Sequence, residues 1–320
     1  MYVIEDPEGL VVVDSGWAMP DSRAALERAL ATLGHRLDDV AQFLVTHAHW
    51  DHYSQALALR ESFGTRVRIG RGEQPSIEAF DRRVGLHPRQ VELLRRCGAH
   101  ELAGEIAGKP VDRSERDVPH TMPDAWLDDG QRLTLTERGL DVFATPGHTR
   151  GHIVLRDAGA GLLFAGDHIL PHITPSIGLE TEPEPKPLRS YLESLRLVRG
   201  MPDTLLLPAH GPVTPSVHTR VDQLLEHHAE RLEIAAAQVR ARPRHGVRGG
   251  GRHAVDAPPG AASTTWTRSA GCSPSWRSTR TWTCSRTRAC WRPTRRTGSA
   301  ATPSGADAPR AGRRRTPELR

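Results

Sequence analysis

Apolar positions along this chain recur in two periods, short runs alternating with amphipathic stretches. Residues 2–16, YVIEDPEGLVVVDSG, hold two apolar runs about a Pro-Glu-Gly turn, which predicts a hairpin whose second strand ends at Asp14-Ser15-Gly16. DSRAALERALATLG (21–34) spaces its apolar residues as a helix does, with Asp21 placed as N-cap and Gly34 as terminator. VAQFLVT (40–46) is a short apolar strand, and SQALALRESFG (54–64) returns to the helical period. Residues from about 72 to 125 read as a helical, loop-rich insertion. Strands resume at LDVFAT (140–145), HIVLRD (152–157), GLLFAG (161–166) and TLLLPAH (204–210). Helices are predicted over PLRSYLESLRLVRG (187–200) and from about 215 to 240. Strands alternating with helices imply a layered α/β body.

Composition alters this picture at one end only. The whole chain is 37% hydrophobic and 25% charged, as globular chains are. No apolar run reaches the roughly 20 residues of a membrane helix. The N-terminal MYVIEDPEGL lacks the basic and apolar regions of a secretory signal. A cytoplasmic protein with no membrane partner is therefore expected. The formal charge of +5 would invite a nucleic-acid partner, but the excess is confined to residues 244–320, with 16 Arg, no Lys and 3 acids. The preceding body carries 27 bases against 35 acids. The tail also lacks Ile, Phe, Tyr, Asn, Gln and Met, yet holds four of the seven Trp and three of the four Cys. Disordered tails are poor in Trp and Cys. The tail composition is what a GC-rich gene yields out of frame. Taking each codon's third base with the next two makes part of it compatible with VDDLDPFGRMLAVLEEHADLDVL, an acidic string with helical periodicity. The chain is thus read as a layered α/β body over 1–243 and an aberrant basic tail over 244–320, expected to be disordered, that stands in place of a small helical domain. Cys97, the one cysteine of the body, supports no disulfide or Cys-based zinc site and is read as a small buried residue.

The densest chemistry lies just after VAQFLVT. In VTHAHWDHYS (45–54), His47, His49, Asp51 and His52 fall within six positions. In an extended turn alternate side chains project together, so His47 and His49 can grip one cation. Asp51 and His52 point apart, which suits a second cation nearby. Imidazole and carboxylate favour zinc, iron or manganese over calcium or magnesium. Three further candidates follow later strands: His148 in ATPGHTRGH, Asp167 in LFAGDHIL and His210 in LLLPAHGP. If these strand ends share one sheet edge, they converge on the first cluster.

With THAHWDH, PGHTRGH, FAGDH and PAHGP in this order, the body resembles the metallo-β-lactamase-fold hydrolase superfamily over residues 1 to about 240. That resemblance implies an αββα sandwich with two metals at the strand edge. It assigns His47, His49 and His148 to the first metal, and Asp51, His52 and His210 to the second, with Asp167 bridging. Asp14 would support the metal loop without being a ligand. The carboxylate at Asp167 is closer to the glyoxalase II and LACTB2-like branches than to true β-lactamases. The helical string hidden in the tail resembles the C-terminal domain of the LACTB2-like branch. Relatives have an earlier edge segment, so the printed start is expected to be short.

Five neutral imidazoles and two carboxylates against two divalent ions leave a net charge of +2 to stabilise a nucleophilic water and a developing oxyanion. Metal coordination brings the pKa of water from 15.7 toward roughly 7. The expected cofactor is a pair of divalent ions, zinc first, with iron or manganese as alternatives. Asp51 and Asp167 are the expected catalytic carboxylates, Asp51 orienting the water or shuttling its proton. The expected reaction is hydrolysis of a small acyl or thioester substrate, an ester or lactone, or an RNA phosphodiester. Two other readings stand beside it: an iron-dependent redox enzyme of the same fold, such as a sulfur dioxygenase or flavodiiron-like protein, and an RNA-binding module working through the basic tail. His168 and His172 are candidates for lining the pocket or bonding to the ligands. Tyr191 and Arg150 are read as solvated surface, with substrate contact as the alternative. The sequence leaves substrate and oligomeric state open.

Overall fold

A computed structural model describes residues 1–80, 89–108 and 117–241, together with the two-residue strand Thr283–Cys284. The strands, in chain order, are β1 (Tyr2–Ile4), β2 (Leu10–Val13), β3 (Val40–Val45), β4 (Arg66–Gly70), β5 (Ala125–Leu127), β6 (Arg132–Thr134), β7 (Gly139–Ala144), β8 (Ile153–Asp157), β9 (Leu162–Gly166), β10 (Leu205–Pro208) and β11 (Thr283–Cys284). The helices are α1 (Pro20–Ala31), α2 (Trp50–Phe63), α3 (Gln74–Glu78), α4 (Gln90–Arg96), α5 (His100–Ala107), α6 (Pro187–Arg199) and α7 (Val217–Ala241). Two sheets form, ordered β11-β1-β2-β3-β4-β5 and β10-β9-β8-β7-β6. The expected hairpin is β1 against β2, Val3 opposite Val12; β2 to β5 are mutually parallel. In the second sheet β9 and β10 are parallel and the remaining pairs antiparallel.

The period of the strands explains the layering. Successive side chains of a strand face opposite ways. In β2, LVVV, Val12 enters a core with Leu26, Leu30 and Leu57 of α1 and α2, while Val11 and Val13 enter a second core against the other sheet. In β9, Leu162 and Phe164 join that second core and Leu163 joins a third, with Tyr191, Leu195 and Val221 of α6 and α7. Strands apolar on both faces can only be buried between two layers. Three stacked cores therefore make four layers, helices–sheet–sheet–helices, the αββα sandwich expected above. Each fully buried Val, Leu or Phe contributes roughly 1.5–3 kcal/mol.

Local expectations shift at several points. The N-cap position of α1 is Met19, without a side-chain cap bond; Asp21 lies inside the first turn, where its charge meets the positive helix end. α2 starts at Trp50, four residues before the helical spacing suggests, so Asp51 and His52 sit on its first turn, not in an extended turn. The insertion supplies α3, α4 and α5, but residues 81–88 and 109–116 lie outside the described residues. β4 is an additional strand in which Val67 and Ile69 are buried between exposed or half-exposed arginines. Cys97 is exposed, because it follows α4, a helix with no buried residue. The tail from 244, with its proposed frame change and the domain boundary before it, lies outside the described residues except for β11, which pairs parallel to β1. No helix among the described residues is long and apolar enough to cross a membrane.

Candidate metal centre

Every strand that ends in a candidate residue opens on one edge of the sandwich. β3 leads into His47 and His49 and then into α2; β7 leads to His148, β9 to Asp167 and β10 to His210. The pairings make β7, β9 and β10 run the same way, so their C-terminal loops emerge together. At this edge Ile153 N–H donates to Thr46 O at 2.9 Å, tying the second sheet to the His loop of the first. Three overlapping groups result, each with ligand atoms within 4.8 Å: His47, His49 and His148; His47, His52 and Asp167; and Asp51, His52 and His210.

In the first group His47 Nε2 lies 2.9 Å from His49 Nδ1, and His148 Nε2 lies 3.1 and 3.0 Å from those two atoms. What these contacts are depends on the opposite ring nitrogens. His49 Nε2 faces the carbonyl of Leu179 at 2.9 Å, and His148 Nδ1 faces the carbonyl of Ser176 at 2.7 Å. A carbonyl only accepts, so those nitrogens carry the protons. Thr46 Oγ1 donates to the Asp14 carboxylate at 3.0 Å, which leaves it to accept from His47 Nδ1 at 3.1 Å. Burial, reinforced by neighbouring rings, lowers the pKa of His47 and His148; burial outweighs nearby carboxylates to lower that of His49. All three rings are therefore neutral, and three lone pairs point at one another without a proton to share. Only a cation makes that arrangement favourable.

The second group has the same logic. His52 Nδ1 donates to Asp14 Oδ2 at 3.0 Å, so its Nε2 is the atom that faces His210 Nε2 at 3.3 Å, Asp167 Oδ1 at 3.5 Å and Asp51 Oδ2 at 3.6 Å. The helical turn brings the tips of Asp51 and His52 to the same side, against the expectation that they point apart. Asp167 places Oδ1 3.4 Å from His210 Nε2 and Oδ2 3.6 Å from His148 Nε2, one oxygen toward each group. Its Oδ1 is buried without a hydrogen-bond partner. Burial lowers the pKa of His52, but Asp51, Asp167 and Asp14 outweigh it and push the ring up to about 10. Burial raises Asp51, yet His52 and His210 hold it well below the usual carboxylate range. This concentration of carboxylates demands positive charge, and a divalent cation satisfies it better than one proton. The donor set, its fixed tautomers and the orphaned Asp167 oxygen fit two metal ions.

Asp14 anchors the second group directly and the first only through Thr46. It is 4% exposed, has a backbone φ of +58°, and accepts from Thr46 N, Thr46 Oγ1 and His52 Nδ1. His152, inside the GHTRGH run, accepts from Asp167 N–H at 3.1 Å and so orients the residue between the groups. Two glutamates that no motif singled out lie buried beside the first group. Glu73 receives the Thr149 hydroxyl, and Glu180 receives Ser76 Oγ at 2.8 Å and Arg150 N–H at 2.7 Å. Burial first, then mutual repulsion with Glu180, pushes Glu73 up to about 8. Their only sequence signal is polarity next to glycines that pack closely. His168 is buried against the Tyr191 ring, and burial pushes it down to about 3; His172 is exposed. Neither belongs to the ligand groups. Tyr191 is fully buried, not solvated, and donates to His168 O at 3.0 Å. Arg150 is half-buried, and its guanidinium donates to Glu182 O at 3.1 Å.

The sequence pattern of the Metallo-beta-lactamase superfamily matches residues 1–210. The chain belongs to that superfamily. Its members are mostly hydrolases and generally hold two divalent metals. The chain is 25% identical to the probable metallo-hydrolase YqjP of Bacillus subtilis over 254 residues, 76% of each protein. It is 30% identical to a beta-lactamase-like protein 2 homolog of Caenorhabditis elegans, over 42% of this chain and 44% of the homolog. With a hydroxyacylglutathione hydrolase of Cereibacter sphaeroides it shares 28% identity over 57% of this chain and 52% of that enzyme. The chain thus spans about half the length of the last two relatives. Among solved structures, a metallo-beta-lactamase family protein of Thermus thermophilus matches with TM-score 0.61 and 28% identity, over 74% of this chain and 76% of that one. A beta-lactamase domain protein of Burkholderia ambifaria matches with TM-score 0.53 and 29% identity, over 70% and 65% of the two chains.

Proposed function

We propose that this chain is a dinuclear metallo-hydrolase acting on a thioester or related acyl ester or lactone. The observation that carries the reading is the Asp167 carboxylate, which turns one oxygen toward each group of ligands. His47, His49 and His148 would hold one ion, Asp51, His52 and His210 the other, and Asp167 both. Two such ions would polarise the electrophile's oxygen and acidify a water at neutral pH. Zinc is the expected metal, since the set is imidazole and carboxylate without sulfur.

The chain's own residues supply orientation and a proton acceptor. Asp51, kept ionised by His52 and His210, would orient the attacking water or take up its proton. Asp14 and the Ser176 and Leu179 carbonyls hold the imidazoles in the tautomers that leave their lone pairs inward. The thioester preference draws on the similarity to a hydroxyacylglutathione hydrolase.

The test assays the full chain, loaded in turn with zinc, iron and manganese, against thioester, lactone, β-lactam and RNA substrates. Thioester or ester turnover that disappears on chelation supports the reading. Oxygen consumption by the iron form without hydrolysis replaces it with a redox enzyme, and RNA cleavage alone replaces the substrate class.

A further inference from the structure

Two of the three first-group imidazoles take their orientation from a single segment, Ser176–Glu182, which lies far from both of them in sequence. Its Ser176 carbonyl receives His148 Nδ1–H and its Leu179 carbonyl receives His49 Nε2–H. Gly178 N–H returns to Gly147 O at 2.9 Å and His148 O at 3.1 Å, so the segment runs against the His148 loop. It carries no helix or strand and cannot hold its own shape. At its far end the Arg150 guanidinium donates to Glu182 O at 3.1 Å and Arg89 pairs with the half-exposed Glu182 carboxylate at 2.7 Å, but the fastening buried beside the rings is one carboxylate. Glu180, 7% exposed, accepts Arg150 N–H from the His148 loop through Oε1 and Ser76 Oγ from α3 through Oε2. Ser76 Oγ in turn receives Glu182 N–H at 3.3 Å. The turn that leads into α3 and the His148 loop are themselves pressed together: a side chain at Gly151 would overlap the backbone of Gly72 and Glu73.

We propose that Glu180 is a positioning residue for the first metal, clamping the Ser176–Glu182 segment to α3 and the His148 loop so that its carbonyls fix the tautomers of His49 and His148. This rests on the metal-centre reading above. Removing the carboxylate loosens the segment, and either ring is then able to turn a proton inward, where the cation must sit. Asp51 and His52 of the second metal are held instead by the first turn of α2 and by Asp14, so the effect falls on one of two ions.

The test uses the full chain labelled with ¹⁵N-histidine, with Glu180→Ala, Glu180→Gln and Ser76→Ala. Long-range ¹H–¹⁵N spectra of metal-free protein read ring tautomers, and zinc titration reads both affinities. The parent is expected to show His49 protonated at Nε2 and His148 at Nδ1. In Glu180→Ala both become mixtures, and one zinc equivalent weakens about 10–100-fold while the other holds. Glu180→Gln keeps an oxygen for Arg150 N–H and restores parental behaviour; Ser76→Ala shifts the same signals less. Parental tautomers and zinc affinities in Glu180→Ala overturn the proposal, as does equal loss of both ions. If Glu180→Ala does not fold, parental behaviour of Ser76→Ala overturns it. Absence of zinc binding in the parent would refute the metal reading, while the tautomer spectra would still report on the clamp.

Discussion

Asp14 touches no proposed substrate position, yet its replacement separates the two metals more cleanly than loss of a ligand. Its carboxylate receives Thr46 N–H at 2.8 Å, Thr46 Oγ1 at 3.0 Å and His52 Nδ1–H at 3.0 Å, all buried. Asp14→Ala leaves Thr46 N–H and His52 Nδ1–H without acceptors. At about 1–3 kcal/mol for each orphaned buried group, the loss is about 2–6 kcal/mol. Asp14→Asn is more informative. Asparagine tolerates the positive φ and keeps the shape, but offers one acceptor oxygen to three donors. Whichever way the amide turns, an N–H opposes a donor. Both Thr46 donors meet Oδ1, so the amide oxygen turns there and the N–H opposes His52, whose ring relieves the conflict by holding its proton on Nε2, the atom facing Asp51, Asp167 and His210. The expected result is a folded protein, about 1–3 kcal/mol less stable in urea, in which the second zinc equivalent weakens about 10–100-fold. Equilibrium unfolding and zinc competition titration measure the two effects. An Asp14→Asn protein that keeps both zinc affinities at parental values would refute the reasoning.

Two further outcomes follow from the buried edge. The folded-state pKa of Glu73, about 8, lies above the ordinary 4.5, so the stability tied to its proton is complete below about pH 4.5 and is lost as pH rises through 8. Between pH 5 and 8 the parent should lose up to about 1.4 kcal/mol per pH unit relative to Glu73→Gln in paired urea titrations; equal slopes would contradict the buried proton. Gly151→Ala forces a methyl into the backbone of Gly72 and Glu73, and should cost about 1–3 kcal/mol or more, read as a lowered unfolding midpoint; an unchanged midpoint means the loops do not meet as described.

The parts of the fold that were legible beforehand are those with a strong period. Continuous apolar runs at LVVV and LLFAG mark strands buried on both faces, and polar residues immediately after such runs mark the edge where the seven candidate residues gather. Short strands carried too little pattern: β5 and β6 have three residues each, and arginines mask the alternation of β4. Glu73 and Glu180 escaped for a different reason. A carboxylate bonded to loop backbone and hydroxyls has no characteristic spacing, and its importance arises only when α3, the His148 loop and residues 176–182 meet. Cys97 and Tyr191 exchanged their expected places because burial depends on which helix face is covered, and α4 buries no residue while α6 buries Tyr191 fully.

The central claim is that one edge of this sandwich holds two metals joined by Asp167. Its most direct test is elemental analysis of the full chain after saturation with zinc and removal of excess ion, alongside Asp167→Ala. Two zinc ions per chain, falling to one or fewer in Asp167→Ala together with loss of hydrolysis, is the predicted result. One ion or none in the parent, or two retained with full activity in Asp167→Ala, would contradict it.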